Sequence, residues 1–174
     1  MENENLEIKK YILTYGSLLG GISIVFGLML FFLDMHYQQE TSVTIVNVII
    51  SVGVIGIAQF TYRKDNEGFM SLGHGIKIGL GTSVISGIMG VLYFLFLSNV
   101  LDPEMMIKAL EMGINQFMDQ NPEASEEMID QVRSMQEKFS GPIMTSSFIL
   151  IFSLFFGLIF SLITGLILKR NRPE

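Results

Sequence analysis

Apolar residues along this chain are gathered into four long blocks, Ile12–Leu33, Val43–Phe60, Ile76–Leu97 and Ile143–Leu168. Each approaches or exceeds the roughly 18–20 residues that carry a helix across a hydrocarbon core about 30 Å thick. They predict four transmembrane helices. The second block is rich in β-branched residues, Val43, Ile45, Val46, Val48, Ile49 and Ile50 among them, yet it is too long for a strand and does not alternate with polar residues. Within lipid a helix satisfies its own backbone groups, so β-branching weighs less there than in water.

Between the third and fourth blocks the pattern changes to amphipathic. Asp102 is placed to cap, Pro103 suits a first helical position and Glu104 complements the helix dipole. Met106, Leu110, Ile114 and Phe117 then recur at helical spacing. Asn121-Pro122-Glu123 repeats the start signal, and Met128, Val132, Met135 and Phe139 form a second stripe before Ser140-Gly141-Pro142 breaks it. The expectation is an all-α chain with one transmembrane domain over residues 1–174. It is a four-helix bundle carrying an extracytoplasmic amphipathic hairpin over about 103–139. Neither hairpin helix is stable alone in water, so its stripe must cover the other stripe, the membrane interface or a partner. The two stripes together are the candidate partner surface.

Composition agrees, since 49% hydrophobic and 16% charged residues are a balance that a soluble domain of this length could hardly bury. MENENLEIKK is a mixed-charge start followed by an apolar run too long for a signal peptide, so the first span is expected to be retained. With no cysteine there is no lipid-attachment site, disulfide framework or thiolate metal site. Charge then orients the spans. Lys9, Lys10, Arg63, Lys64, Lys77, Lys169, Arg170 and Arg172 fall on one side, and Lys108, Arg133 and Lys138 on the other. By the positive-inside rule both termini are cytoplasmic and the hairpin, acidic through residues such as Glu104, Glu111, Glu126 and Asp130, faces out of a bacterial inner membrane.

Helices in lipid associate through small residues that let backbones approach. Ser153, Gly157, Ser161 and Gly165 recur every fourth residue in the last span; the first pairs Gly16 with Gly20, Ser17 with Gly21 and Ser23 with Gly27, and the third pairs Gly75 with Gly79, Ser83 with Gly87 and Ser86 with Gly90. These faces are expected to close the bundle, with a second protein or second copy as the competing use. Asn47 and Ser51 are expected to hydrogen-bond between helices.

The chain offers little chemistry. His36 and His74 fall on opposite membrane faces, and no G-x-S-x-G, H-E-x-x-H or P-loop pattern occurs. Asp119, Asn121, Glu123, Ser125 and Glu127 alternate like calcium-loop ligands, but Ala124 sits where the loop needs glycine and Asp130 where it needs a distal glutamate. Lys77 has the spacing of a snorkelling side chain. No catalytic residue, cofactor, metal or nucleic-acid partner is expected.

YRKDNEGFMSLGHGIKIGL leading into a glycine-rich span, then NVLDPEMM, an acidic hairpin and a terminal ITGLILKR together resemble a Bacteroidota membrane family, domain of unknown function 4199. The resemblance covers Leu6 to Arg170 and implies a four-span inner-membrane protein, with no catalytic residues to carry over. The functional expectation is a non-enzymatic membrane component that uses its Met-rich outer hairpin to bind another envelope protein or a second copy. One alternative is a small-solute or ion conduit lined by Asn47, Lys77 and nearby serines. Another is an enzyme at the cytoplasmic edge using Asp65, His74 and Lys77.

Overall fold

The computed structural model describes residues 2–36 and 41–171, with side chains of the first helix described from Ile8 onward; Arg172 lies outside them. Six α-helices follow in order: α1 Glu2–Phe32, α2 Thr41–Asp65, α3 Leu72–Phe96, α4 Met105–Gln120, α5 Glu126–Phe139 and α6 Pro142–Leu168. Among the described residues four segments are long and apolar enough to cross a membrane, in α1, α2, α6 and α3 with the π-helical turn Leu97–Leu101 that continues it. The fold is an all-α membrane bundle.

The helices outrun the apolar blocks. α2 has 25 residues, about 37 Å at 1.5 Å per residue, because Arg63, Lys64 and Asp65 continue the helix beyond the apolar block. The bundle is built around α3, which packs against α1 on one side and α6 on the other, while α2 rests mainly on α6 and α1.

α3 and α6 meet as an antiparallel zipper of small residues. A Cβ on Gly75 would lie 3.3 Å from the Gly165 Cα, and one on Gly87 would lie 2.7 Å from the Ser153 Oγ. Between them Gly79 abuts Ser161 and Gly157 abuts Ser83, each too closely for a side chain on the glycine. Each step of four residues up α3 is thus matched by a step of four down α6. Every rung has a glycine on at least one helix, which lets the backbones approach closely enough for dispersion to hold them. Ser153 Oγ crosses the seam to donate to the Ser83 carbonyl at 2.6 Å.

α1 and α3 run parallel and pack differently, a bulky side chain over each glycine. A Cβ on Gly16 would be 2.6 Å from the Ile85 Cβ, one on Gly20 2.5 Å from the Met89 Sδ, and one on Gly81 2.5 Å from the Ile12 Cδ1. Gln59 of α2, fully buried, ties three helices by donating to the Gly75 carbonyl at 3.0 Å and the Ser161 carbonyl at 3.1 Å.

A hydrophobic core cluster lies at the end of the bundle where α1 begins and α6 ends, formed by Ile8, Tyr11, Ala58, Tyr62, Met70 and Ile78. The α2–α3 loop closes it. The Gly68 N–H reaches back to the Arg63 carbonyl at 2.8 Å, with Glu67 and Gly68 both at positive φ, a glycine-type helix stop. Met70 then pairs with Arg170 in an antiparallel bridge, and the Arg170 guanidinium sits 5.6 Å from the Phe69 ring centroid.

Candidate functional site

Polar side chains gather at both ends of the bundle. At the termini end the Tyr11 hydroxyl donates to the Asp65 carboxylate, and the Tyr15 hydroxyl donates to Thr61 Oγ1 at 2.9 Å. The Tyr11 ring stands edge-on to Tyr62 with centroids 5.4 Å apart, and the Tyr62 hydroxyl meets His74 Nδ1 at 3.3 Å. Asp65 and His74 therefore belong to one chain of contacts, joined by two tyrosines that no motif had singled out. Tyr62 is only 1% exposed, so the middle of that chain is buried and joins α1, α2 and α3. Lys77 is exposed. Asn47 folds back on its own helix and donates to the Val43 carbonyl at 3.1 Å.

The hairpin end is organised by Asp102. His36 Nε2 lies 3.0 Å from its carboxylate, and Lys108 Nζ lies 3.2 Å away. His36 follows α1 and its side chain is 4% exposed, against 12% for Asp102, with the Phe31 ring 5.2 Å from the imidazole. Burial works to raise the Asp102 carboxyl. Hydrogen bonds from His36 and Lys108, the Lys108 charge and the Glu104 backbone N–H outweigh it and hold the carboxyl below its ordinary 3.8. Asp102 was expected simply to cap a helix beginning at Pro103; α4 instead begins at Met105, and the carboxylate pins the root of the hairpin to the end of α1.

Beyond that root α4 and α5 pack chiefly on each other. α5 starts later than Asn121-Pro122-Glu123 suggested. Its cap is Ser125, whose hydroxyl accepts from the Met128 N–H at 3.3 Å, and Glu126 and Glu127 occupy the first turn. Asn121 instead donates to the Phe117 carbonyl at 2.9 Å, so the alternating oxygen-bearing residues from Asp119 to Glu127 include two that serve helix ends.

The α4 stripe is the covered one: Ile114 is buried, and Met106, Leu110 and Phe117 are half-buried. Ile114 is taken up inside the hairpin, while Met106 and Leu110 line a groove with Arg133 and Glu137. α5 answers with Ile129, Val132 and Gln136, its half-buried positions, and the Gln136 amide nitrogen lies 3.1 Å from where a Gly113 Cβ would be. The remaining candidates stay uncovered, Met128 at 49%, Met135 at 61% and Phe139 at 49% exposure. The Phe139 ring meets Phe148 of α6 with centroids 6.2 Å apart.

A family model described as "Protein of unknown function (DUF4199)" matches residues 14–170. The chain belongs to that family. No curated protein and no solved structure matches it significantly. Membership in this family of unknown function leaves the site to be read from its own geometry. The α5 face departs from the usual rule that an amphipathic helix hides its stripe.

Proposed function

We propose that this chain is a non-enzymatic component of a Bacteroidota inner membrane that seats a protein partner on its extracytoplasmic hairpin. The observation that carries the reading is the uncovered α5 stripe, Met128, Met135 and Phe139. Full burial of such a side chain stabilises a contact by about 1.5–3 kcal/mol, and methionine's flexible thioether adapts to the shape it meets. The orientation rests on charge: Lys9, Lys10, Arg63, Lys64, Lys169 and Arg170 collect at the termini end, the cytoplasmic side by the positive-inside rule.

Two further observations support a role without catalysis or conduction. Asp65 and His74 are each engaged with a tyrosine at the termini end. The α3–α6 seam that a conduit would open is shut by close contact between small residues, glycine on glycine at Gly75–Gly165 and glycine on serine at the other three rungs. In the test, the full-length chain and a Met128→Gln, Met135→Gln, Phe139→Gln variant are cross-linked in native membranes, and the adducts are identified by mass spectrometry. The wild type is expected to give a defined protein adduct that the variant loses while still inserting. Identical adducts from both would remove the hairpin as the docking surface.

A further inference from the structure

We infer that the partner seated on α5 is the α5 helix of a second copy of this chain, an inference that rests on the docking role of the hairpin. The exposed stripe has the spacing of a coiled-coil seam. Met128, Val132, Met135 and Phe139 are separated by four, three and four residues, the a/d rhythm with which one helix accepts another along its length. α4 leaves this seam open because it takes the neighbouring edge of α5 through Ile129 and Gln136. Val132 lies on the boundary and serves both.

Charge selects the occupant. α5 carries Glu126, Glu127, Asp130 and Glu137, in a chain of net charge −6, so two hairpins should repel one another if acids lined the seam. They do not. At about 100° per residue, Glu126, Asp130 and Glu137 fall on the half of α5 opposite the stripe, and Glu127 stands off its margin. The residues flanking the free edge are Gln131 and Lys138. An interface between two identical faces requires a patch that tolerates its own charges, since like charges set against each other oppose binding strongly. A basic partner would need acids beside the seam to guide it, and there it meets Lys138. The acidic half is left pointing to water, where it keeps the paired hairpins soluble.

The bilayer supplies the rest. Copies held in one membrane share an orientation and a raised effective concentration, so a two-residue-wide seam suffices where free helices of 14 residues would not associate. Two hairpins joined along α5 form a four-helix arrangement outside the membrane, burying Met128, Met135 and Phe139 from both copies.

The native chain has no cysteine, so single-cysteine variants report cleanly. Met135→Cys, on the seam, and Asp130→Cys, on the opposite half, are expressed full-length and treated in native membranes with a short bis-maleimide. Met135→Cys is expected to give a dimer with about tenfold the yield of Asp130→Cys, and adding Met128→Gln with Phe139→Gln to remove about tenfold of it. Equal yields from the two positions would mean chance collision and overturn the second-copy assignment. Adducts from Met135→Cys to a different protein, without self-dimer, would overturn it and leave the docking role standing. No protein adduct, together with quenching of a fluorophore at position 135 by a lipid-borne quencher, would overturn both and assign the face to the bilayer surface.

Discussion

Asp102 shows how one carboxylate can position a whole segment. Its native carboxyl is held below 3.8, whereas in the unfolded chain it titrates at the ordinary value. The folded state therefore binds fewer protons at that group, and the stability it contributes is fully present above pH 3.8 and lost as pH falls through the lowered native value. The expected outcome is a purified wild-type protein that melts higher than Asp102→Asn at neutral pH, with the difference closing below about pH 4. Thermal melts across that range check it, and a constant difference down to pH 2 would sink it. The carboxylate's role was illegible in the sequence because its partner His36 is 66 residues away, while the adjacent proline made a local cap the natural reading. Tyr11 with Asp65, 54 residues apart, and Gln59 with Ser161, 102 apart, were hidden for the same reason. Local pattern reports the backbone preference of a residue and is silent about which distant group folding brings to it.

Periodicity fares better at the scale of helices, because a four-residue repeat of small side chains is a property of one helix face whatever lies opposite. Ser153, Gly157, Ser161 and Gly165 were readable as a groove, and Gly75 with Gly79 and Ser83 with Gly87 as small-residue pairs; their joining into one face and their pairing rung by rung were not, since register is fixed by both helices together. The stripe on α5 was readable too, but which of its edges α4 would cover depended on the close approach at Gly113. The zipper makes a sharp prediction. Gly79→Leu or Gly157→Leu forces α3 and α6 apart and should destabilise the bundle by about 1–3 kcal/mol or more, the range for overpacking a filled core. Gly53→Leu on α2, where a Cβ meets nothing within 4 Å among the described residues, should change stability by less than about 0.5 kcal/mol. Unfolding in bicelles with each variant decides it, and equal losses at Gly79 and Gly53 would mean the seam does not set the stability of the bundle.

Taken as a whole molecule, the chain is a span bundle with a hairpin inserted where two neighbouring helices end. Past the Gly87–Ser153 rung a Cβ on Gly90 would lie 3.7 Å from the Ile149 Cγ2, so α3 and α6 still run side by side toward the stems of the insertion. Insertions of that kind add little chain-closure entropy when removed, because the ends are already near. The bundle's stability resides elsewhere, in the glycine seams and the Tyr11–Tyr62–Met70 cluster at the far end, and α4 and α5 spend their contacts on each other. Replacing Glu104–Phe139 by a short Gly/Ser linker, with Asp102 retained to hold His36, should therefore leave four inserted spans whose melting temperature in detergent matches the full chain. A scanning melt with cysteine labelling of positions 66 and 103 tests both halves of that statement. Position 66 is expected to label only after the membrane is opened and position 103 from outside. A large drop in melting temperature would make the hairpin a brace for the spans instead of an arm held out from them.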